Sequence, residues 1–338
     1  MHEAAVGFGP ICLCRAEFQA FKFQPLVSVL HQHGLPVKSK RSKVNPPGEE
    51  LRARVVANFR ATVALQLDQA TGFEKAYPLK QLPLLVAGDE VLCTRDDGVL
   101  RVHKLIDRSS VLERADRHWV KPLAANLTHL GIVSANPPGV DTLLIDQFCV
   151  AASRAGVSAL IIFNKGDQMS QEERSHADEL VAVYRSIGYP AVVVDTKTAD
   201  GMQPLLDELN GRSVTLVGAS GVGKSSIIQK LLPDRELRIG AVSAATGFGS
   251  HTTSVTYWYE LPNGGSIIDS PGVRQYSVAH LDETTVRQGF FELADAAVEC
   301  RFADCTHTVE PACAVRSAVD SGGIAEHRYA NYRKLIDG

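Results

Sequence analysis

Apolar and polar positions follow two different patterns along the chain, and the change falls near residue 128. Between residues 51 and 115, short apolar stretches are separated by turn signals such as Ala87-Gly88-Asp89. They predict strands at residues 52–59, 62–67, 90–94 and 99–106. About five short strands in a segment of this length favour a small Greek-key barrel of the OB type.

After residue 128, apolar strand-like runs alternate with helical stretches. Strands are predicted at 129–134, 159–164, 191–194, 213–217, 256–260 and 266–269, and helices at 141–155, 171–187, 202–209 and 224–231. This alternation is typical of an α/β fold with a mostly parallel sheet. Residues 278–338 are expected to be helical at both ends. The predicted regions are therefore an arm at 1–48, the barrel at 49–117, an α/β domain at 118–277 and a helical domain at 278–338.

Composition narrows the class of protein without naming a function. The 338 residues are 45% hydrophobic and 22% charged, as in a soluble globular protein, and the net charge of −3 does not by itself indicate a nucleic-acid binder. The run from Lys38 to Lys43 predicts a flexible basic arm, although a plain solvated tail would look the same. Without a signal peptide or a continuous apolar stretch of ~20 residues, we expect a cytoplasmic protein with no membrane span.

A phosphate-binding loop is the clearest motif. It follows a buried-looking strand, opens a helix and matches G-x-x-x-x-G-K-[ST] in full. Its amides would bind phosphates, Lys224 would reach the β- and γ-phosphates as a catalytic group, and Ser225 would ligate Mg²⁺. The nucleotide-binding residues predicted here are Gly218, Ala219, Ser220, Gly221, Val222, Gly223, Lys224, Ser225 and Ser226.

Two later segments are candidates for the mobile switches of such a site. Asp269 ends a predicted strand in the motif D-x-P-G, so its carboxylate would serve Mg²⁺ and the Gly272 amide would sense the γ-phosphate. The Gly-rich stretch 247–253 lies between. Thr253, or failing that Thr252, would complete the Mg²⁺ ligands, although both could be simple loop hydroxyls.

A guanine-reading motif precedes the phosphate loop. Asn164-Lys165-Gly166-Asp167 has the form N-K-x-D, in which Asp167 would accept hydrogen bonds from guanine N1–H and its exocyclic amine. Adenine would leave that carboxylate unpaired. Thr196 and Lys197 would belong to a second base-contacting loop. The base motif begins 54 residues before Gly218, so the order of the GTPase motifs is circularly permuted.

The C-terminal region carries a metal-binding pattern. Three of the seven cysteines, with one histidine, fall within 14 residues as Cys300, Cys305, His307 and Cys313. Three thiolates and one imidazole would make a closed, structural Zn²⁺ site. The alternative is a group of buried free cysteines.

Together these residues resemble the circularly permuted GTPases of the RsgA family, over the chain from about residue 50 onward. The resemblance implies GTP hydrolysis stimulated by the small (30S) ribosomal subunit, a role in its late maturation, and 16S rRNA contacts. It also points to His251 as the water-positioning residue, because Val273 stands where many GTPases have glutamine. Phe248 and Ser250 replace the basic residues usual in the switch stretch, and His251 could instead be an exposed loop histidine.

Two other functions stay open on the sequence. One is an rRNA-binding assembly factor that uses GTP as a binding switch with negligible turnover. The other is a P-loop ATPase or kinase in which the N-K-x-D motif is accidental. We expect a monomer that binds GTP and GDP, with one structural Zn²⁺ and with Mg²⁺ accompanying GTP.

Overall fold

The computed structural model describes residues 49–68, 70–116, 119–247, 255–269 and 281–337. Its strands are β1 (Glu50–Asn58), β2 (Val63–Leu67), β3 (Glu74–Pro78), β4 (Glu90–Asp96), β5 (Val99–Leu105), β6 (Val111–Asp116), β7 (Trp119–Ala125), β8 (His129–Ala135), β9 (Ser158–Asn164), β10 (Ala191–Val193), β11 (Ser213–Val217), β12 (Tyr257–Glu260) and β13 (Ser266–Asp269). Its helices are α1 (Thr142–Arg154), α2 (Gln171–Ser186), α3 (Gln203–Glu208), α4 (Lys224–Leu231), α5 (Arg235–Thr246), α6 (Glu283–Gly289), α7 (Phe291–Ala297), α8 (Ala314–Asp320) and α9 (Glu326–Asp337).

The first five strands close into a barrel in the order β1-β2-β3-β5-β4, with β4 pairing back onto β1. Only β3 and β5 run parallel to each other. Alternate residues point inward, as in Val63 and Leu65 on β2 and Leu100 and Val102 on β5. The predicted barrel is therefore confirmed. Strand β3 was not located from the sequence, because Ala76 is its single fully buried residue.

The α/β domain is built on a sheet in the order β10-β9-β8-β11-β13-β12. The first five strands of that order are parallel, and β12 runs antiparallel to β13. Strand β9 is buried from Ala159 to Asn164, as expected of a parallel strand covered on both faces. The mostly parallel sheet is confirmed. Strand β12 also pairs with β1 at Tyr257 and Ala57, so the barrel continues the same sheet.

The predicted helices of this domain are present within one or two residues of their expected ends. Asp141 caps α1 by accepting a hydrogen bond from the Leu144 N–H, and Ser170 with Glu173 forms a capping box on α2. Helix α5 was not predicted, because its buried stripe consists only of Ile239, Val242 and Thr246. In the described parts of the chain, no helix is long and apolar enough to cross a membrane.

Strands β6 and β7 form a hairpin that connects the barrel to the α/β domain. The hairpin was not predicted either, and it spans the expected boundary at residues 117 and 118. The Ala125 N–H donates to Ala87 O of the barrel segment, and Thr128, which follows the hairpin, donates its N–H to Ser213 O of β11. The hairpin is therefore hydrogen-bonded to the barrel, and the residues that follow it are bonded to the α/β domain. The exact domain boundary stays a prediction.

The C-terminal helices pack around a separate small core. Its buried residues include Val286 and Phe290 from the α6–α7 segment, Val315 from α8 and Tyr332 from α9. Val150 of α1 belongs to the same core. The helical domain therefore rests on the outer face of α1 and shares apolar surface with the α/β domain.

A buried ion-pair network, here called the Arg328 clamp, fastens α9 to α1. The Arg328 guanidinium donates to Asp146 Oδ1 and Glu292 Oε1, each at 2.6 Å, and it lies 4.3 Å from the centroid of the Phe290 ring. Asn331 donates to the other oxygen of Asp146 at 2.7 Å, and the Tyr184 hydroxyl donates to Asp146 Oδ1 at 2.7 Å. Both carboxylate oxygens of Asp146 therefore accept hydrogen bonds from α9, across the domain boundary.

Replacing Arg328 should destabilise the protein strongly. Arg328→Met would leave the buried Asp146 and Glu292 carboxylates without their cation, and removing one partner of a buried ion pair costs about 3–5 kcal/mol. Urea unfolding would measure the loss. Arg333→Met is the matched control, because Arg333 lies on the same helix in a more exposed pair with Asp337. Similar losses of unfolding free energy in both variants would show that the clamp stabilises the protein no more than an exposed ion pair does.

Candidate functional site

Four sequence-predicted segments meet at one edge of the parallel sheet. The guanine motif follows β9, the segment with Thr196 follows β10, the phosphate loop follows β11, and Asp269 ends β13. These strands are parallel members of a single sheet, so their carboxyl ends lie at the same edge. Ligands of open α/β sheets bind at that edge.

Glycines shape the phosphate loop. Gly218, Gly221 and Gly223 all have left-handed φ values, of 136°, 82° and 94°. A Cβ on Gly218 would lie 2.1 Å from the Val133 carbonyl oxygen, and one on Gly223 would lie 2.2 Å from Asn164 Nδ2. Any other residue at either position would clash as well as strain the backbone. The loop therefore folds tightly enough to present successive amides to one ligand.

Lys224 lies across this loop. Its ammonium donates to Gly218 O at 2.8 Å and to Ala219 O at 2.6 Å. Gly223 is the N-cap of α4, and Ser225 and Ser226 are exposed in the first turn of that helix. A helix N-terminus, a lysine and exposed hydroxyls at one loop are the donor set that suits phosphate groups and their Mg²⁺.

The guanine motif is packed directly onto the phosphate loop. Asn164 is buried, and its Nδ2 donates to Val222 O at 2.9 Å. Lys165 has a left-handed backbone with φ of 63°, and its ammonium donates to Pro137 O at 2.7 Å in the segment after β8. Residues that are 58 positions apart in the chain thus form one site, as the permuted motif order predicted.

The two predicted base-contacting segments are also joined. Lys197 Nζ lies 3.0 Å from Asp167 Oδ2. The Lys197 segment is held by Asp195, which accepts hydrogen bonds from the N–H groups of Lys197 and Thr198. Desolvation acts to raise the pKa of Asp195, but the hydrogen bonds from Thr198 and Lys197 outweigh it and lower that pKa. Asp195 is therefore a fixed anion that shapes the loop, a role the sequence did not reveal.

Asp269 has a partner that the sequence did not reveal either. Asp269 is 4% exposed at the end of β13, and Arg235 Nη2 lies 2.9 Å from Asp269 Oδ2. Arg235 is the first residue of α5. Thr215 on β11 fixes the adjacent backbone by donating to Ile268 O at 2.7 Å. The predicted Mg²⁺-serving carboxylate is thus buried and already paired with a cation.

Several switch predictions lie outside the described residues. They are the predicted catalytic residues His251 and Thr253, the alternative Thr252, and the γ-phosphate sensor Gly272. Their roles stay predictions. Helix α5 ends at Thr246, and Gly247 caps it in a left-handed conformation with φ of 73°.

The predicted metal ligands come together in the helical domain. The ligand atoms of Cys300, Cys305, His307 and Cys313 all lie within 4.8 Å of one another. His307 Nδ1 is 3.6 Å from Cys300 Sγ and 3.5 Å from Cys313 Sγ, and those two sulfurs are 4.0 Å apart. A tetrahedron with Zn–S bonds of about 2.3 Å has edges of roughly 3.8 Å, so the four side chains could hold one zinc ion.

Surrounding groups hold the ligand loop in this shape. The Tyr329 hydroxyl donates to His307 O at 2.6 Å, and Arg287 donates to Cys305 O at 3.2 Å. Glu310 accepts from the N–H groups of Thr306 and Thr308. Burial, followed by the charge of Arg287, lowers the pKa of His307 and so favours the neutral imidazole that metals bind.

A family model described as RsgA GTPase matches residues 105–279. A protein of Chromohalobacter salexigens named "Small ribosomal subunit biogenesis GTPase RsgA" is 41% identical over 296 residues, which are 86% of this chain and 87% of that protein. The chain belongs to the RsgA GTPase family. A relative of the same name from Ectopseudomonas mendocina is 39% identical over 86% of each chain.

Solved structures agree with this family assignment. The crystal structure of YjeQ from Thermotoga maritima matches with a TM-score of 0.70 and 28% identity, over 85% of this chain and 97% of that one. The crystal structure of YloQ, described as a circularly permuted GTPase, matches with a TM-score of 0.68 over 87% of this chain and 96% of that one. At 20% identity, YloQ supports the fold alone.

Family membership establishes the chemistry of the chain. RsgA family members are GTPases, so this chain is a GTP hydrolase and the predicted enzyme class is confirmed. A GTPase uses Mg²⁺ with its nucleotide, and the donor set at the sheet edge fits that ion. The individual residue roles stay predictions, although the described motifs lie together at one site.

Proposed function

We propose that this RsgA family GTPase binds the small ribosomal subunit and hydrolyses GTP during late maturation of that subunit. The main support is the permuted guanine motif packed against the phosphate loop, through Asn164 and Val222, in a chain that aligns with its relatives over most of its length. Those relatives carry the name "Small ribosomal subunit biogenesis GTPase RsgA". We further propose a cytoplasmic monomer.

We assign the base end of the nucleotide to the β9 and β10 segments. Asp167 accepts hydrogen bonds from guanine N1–H and the exocyclic amine, while Thr196 and Lys197 line the neighbouring loop. Asn164 and Lys165 hold this base-binding surface at a fixed distance from the phosphates, through their contacts with Val222 O and Pro137 O. A carboxylate presented to an amine rejects adenine because it would be desolvated without a donor.

We assign the phosphate end to the loop at Gly218–Gly223 and the start of α4. Its amides and Lys224 bind the β- and γ-phosphates, and Ser225, Asp269 and Thr253 are the side chains that hold Mg²⁺. When bound, Mg²⁺ neutralises charge that develops on the phosphate oxygens. His251 positions the attacking water, because Val273 has no group that could do so.

We assign a 16S rRNA contact to the outer face of the barrel. Tyr77 on β3 is 40% exposed, and Lys75 Nζ lies 5.8 Å from its ring centroid. Arg101 is the register partner of Tyr77 on β5. An exposed aromatic ring with cationic residues on its own strand and on the neighbouring strand is a platform on which unpaired bases stack, at about 1–3 kcal/mol per base.

The proposal predicts that purified small subunits raise the GTP turnover number by at least an order of magnitude. Unassisted P-loop GTPases can be as slow as roughly 10⁻⁴ s⁻¹, and a partner that completes the site can add up to about 10⁵-fold. Multiple-turnover phosphate release with and without small subunits measures this. ATP in place of GTP should give no stimulated release.

Control variants separate the parts of the proposal. Tyr77→Ala should require several-fold more subunits for half-maximal stimulation, whereas Val99→Ala, at another partly exposed barrel position, should not. His251→Ala should abolish stimulation and spare GTP binding. Unchanged turnover with subunits would refute the ribosome-triggered function and favour a binding switch, while ATP turnover would favour an ATPase or kinase. Full stimulation of His251→Ala would refute only the role of that histidine.

A further inference from the structure

The ion pair between Arg235 and Asp269 joins two parts of the GTPase site. Arg235 begins α5, the helix that leads into the predicted switch stretch, and Asp269 ends β13 as the first residue of the D-x-P-G motif. Their side chains meet at 2.9 Å, with the Asp269 side chain 3% exposed and the Arg235 side chain 28% exposed. The contact therefore links the elements that precede both predicted switches.

The Asp269 carboxylate is buried, so loss of its contact with Arg235 would be costly. A carboxylate removed from water needs a cation or several donors to remain charged, and a planar guanidinium is well suited to that task. The aromatic ring of Tyr259 on β12 is buried nearby, and burial raises its pKa to about 12, so it stays a neutral phenol beside the pair. Tyr259 therefore adds no negative charge there, and the Arg235 guanidinium, 2.9 Å away, is a cation that compensates the Asp269 carboxylate.

The same carboxylate is the one that we assign to Mg²⁺. A guanidinium and a divalent cation repel each other, and at a partly screened site two charges a few ångströms apart interact by several kcal/mol. Asp269 cannot hold both at full strength. Formation of the Mg²⁺–nucleotide complex must therefore weaken or displace the contact with Arg235.

We propose that Arg235 is a positioning residue that competes with Mg²⁺ for Asp269 and so sets the Mg²⁺ concentration at which the nucleotide complex forms. This inference rests on the proposed role of Asp269. Release of Arg235 would also free the first turn of α5, which connects metal binding to the helix that precedes the switch stretch. Arg235 itself need not touch the nucleotide.

The test titrates Mg²⁺ into full-length protein in the presence of a fluorescent GDP analogue. Arg235→Gln removes the competing charge, so the Mg²⁺ concentration for half-maximal analogue binding should fall by about tenfold or more. Arg238→Gln is the control, because Arg238 lies on the same helix but pairs with Asp234 and Glu260 O. It should leave the Mg²⁺ requirement unchanged.

Thermal unfolding separates competition from a merely structural role. Without Mg²⁺, Arg235→Gln should melt well below wild type because the buried Asp269 carboxylate loses the guanidinium that lies 2.9 Å away. Saturating Mg²⁺ and GDP should recover most of that difference, since Mg²⁺ takes over the carboxylate. An equal loss with and without Mg²⁺, or an unchanged Mg²⁺ requirement, would overturn the proposal.

Two further variants keep the test decisive. If Arg235→Gln does not fold, Arg235→Lys, which keeps the charge but loses the planar fork, should show an intermediate Mg²⁺ requirement, and a requirement equal to or above that of wild type would overturn the proposal. Asp269→Asn should raise the Mg²⁺ requirement. If it does not, Asp269 does not bind the metal, and the proposal for Arg235 is wrong. Subunit-stimulated GTP turnover, which is measured separately, would then still support the proposed function.

Discussion

Asp167→Asn should weaken GTP binding by about 10²–10⁴-fold, because two hydrogen bonds to a charged acceptor contribute about 1.5–3 kcal/mol each. Asp167 lies after β9, with its carboxylate next to Lys197 at the sheet edge. The amide of asparagine presents a donor toward the guanine amine, so one attractive contact becomes a clash of donors. Equilibrium binding of GTP to the two proteins measures the loss.

Xanthosine triphosphate provides the rescue that a general folding defect would not allow. Its C2 carbonyl can accept a hydrogen bond from the new amide, so Asp167→Asn should bind it more tightly than GTP. Lys197→Ala is the matched control: it removes the 3.0 Å partner of Asp167 but keeps the carboxylate, so it should keep the preference for guanine. If Asp167→Asn binds GTP as wild type does, Asp167 does not read the base.

Much of the fold could be predicted because its signals are local. Strand β9 is a continuous apolar run, and residues of the barrel strands alternate between core and surface. The elements that escaped prediction have weak local patterns. Strand β3 buries one residue fully, and the β6–β7 hairpin is defined by the backbone pairing of its two strands and by the bond from Ala125 to Ala87 of the barrel segment.

The residues of the site likewise fall into those that local sequence signals predict and those that they do not. The phosphate loop, the guanine motif and the cysteine cluster could be found because each is a spacing within a short segment. The contacts of Arg235 with Asp269 and of Arg328 with Asp146 span 34 and 182 positions. The sequence does not indicate whether an arginine is buried or exposed, so only the three-dimensional packing distinguishes the two cases. Arg235 and Arg328 are consequently the functional and structural residues that sequence reasoning missed, whereas Asp269 was predicted from its motif.

Loss of zinc should unfold the ligand loop of the helical domain. Apparent zinc-binding free energies of structural sites reach about 10–16 kcal/mol, and that energy is part of folding. Purified protein should hold one zinc ion per chain, and Cys305→Ala should lose it, as metal analysis by mass spectrometry would show. The loop between Cys300 and Cys313 should then become sensitive to protease. Cys93→Ala, in the buried barrel core, is the control that should keep its zinc.

The Arg328 clamp should confine the unfolding caused by zinc loss to the ligand loop. Helix α9 is fastened to α1 by Arg328 and Asn331, neither of which is a zinc ligand. Helix α1 also lines a small cavity together with Gly218 and Val222 of the phosphate loop. We therefore expect Cys305→Ala to retain GTP affinity within a few-fold of wild type while its ligand loop is cleaved. Stoichiometric zinc in Cys305→Ala would contradict the ligand assignment, and a large loss of GTP affinity would mean that the clamp depends on the metal.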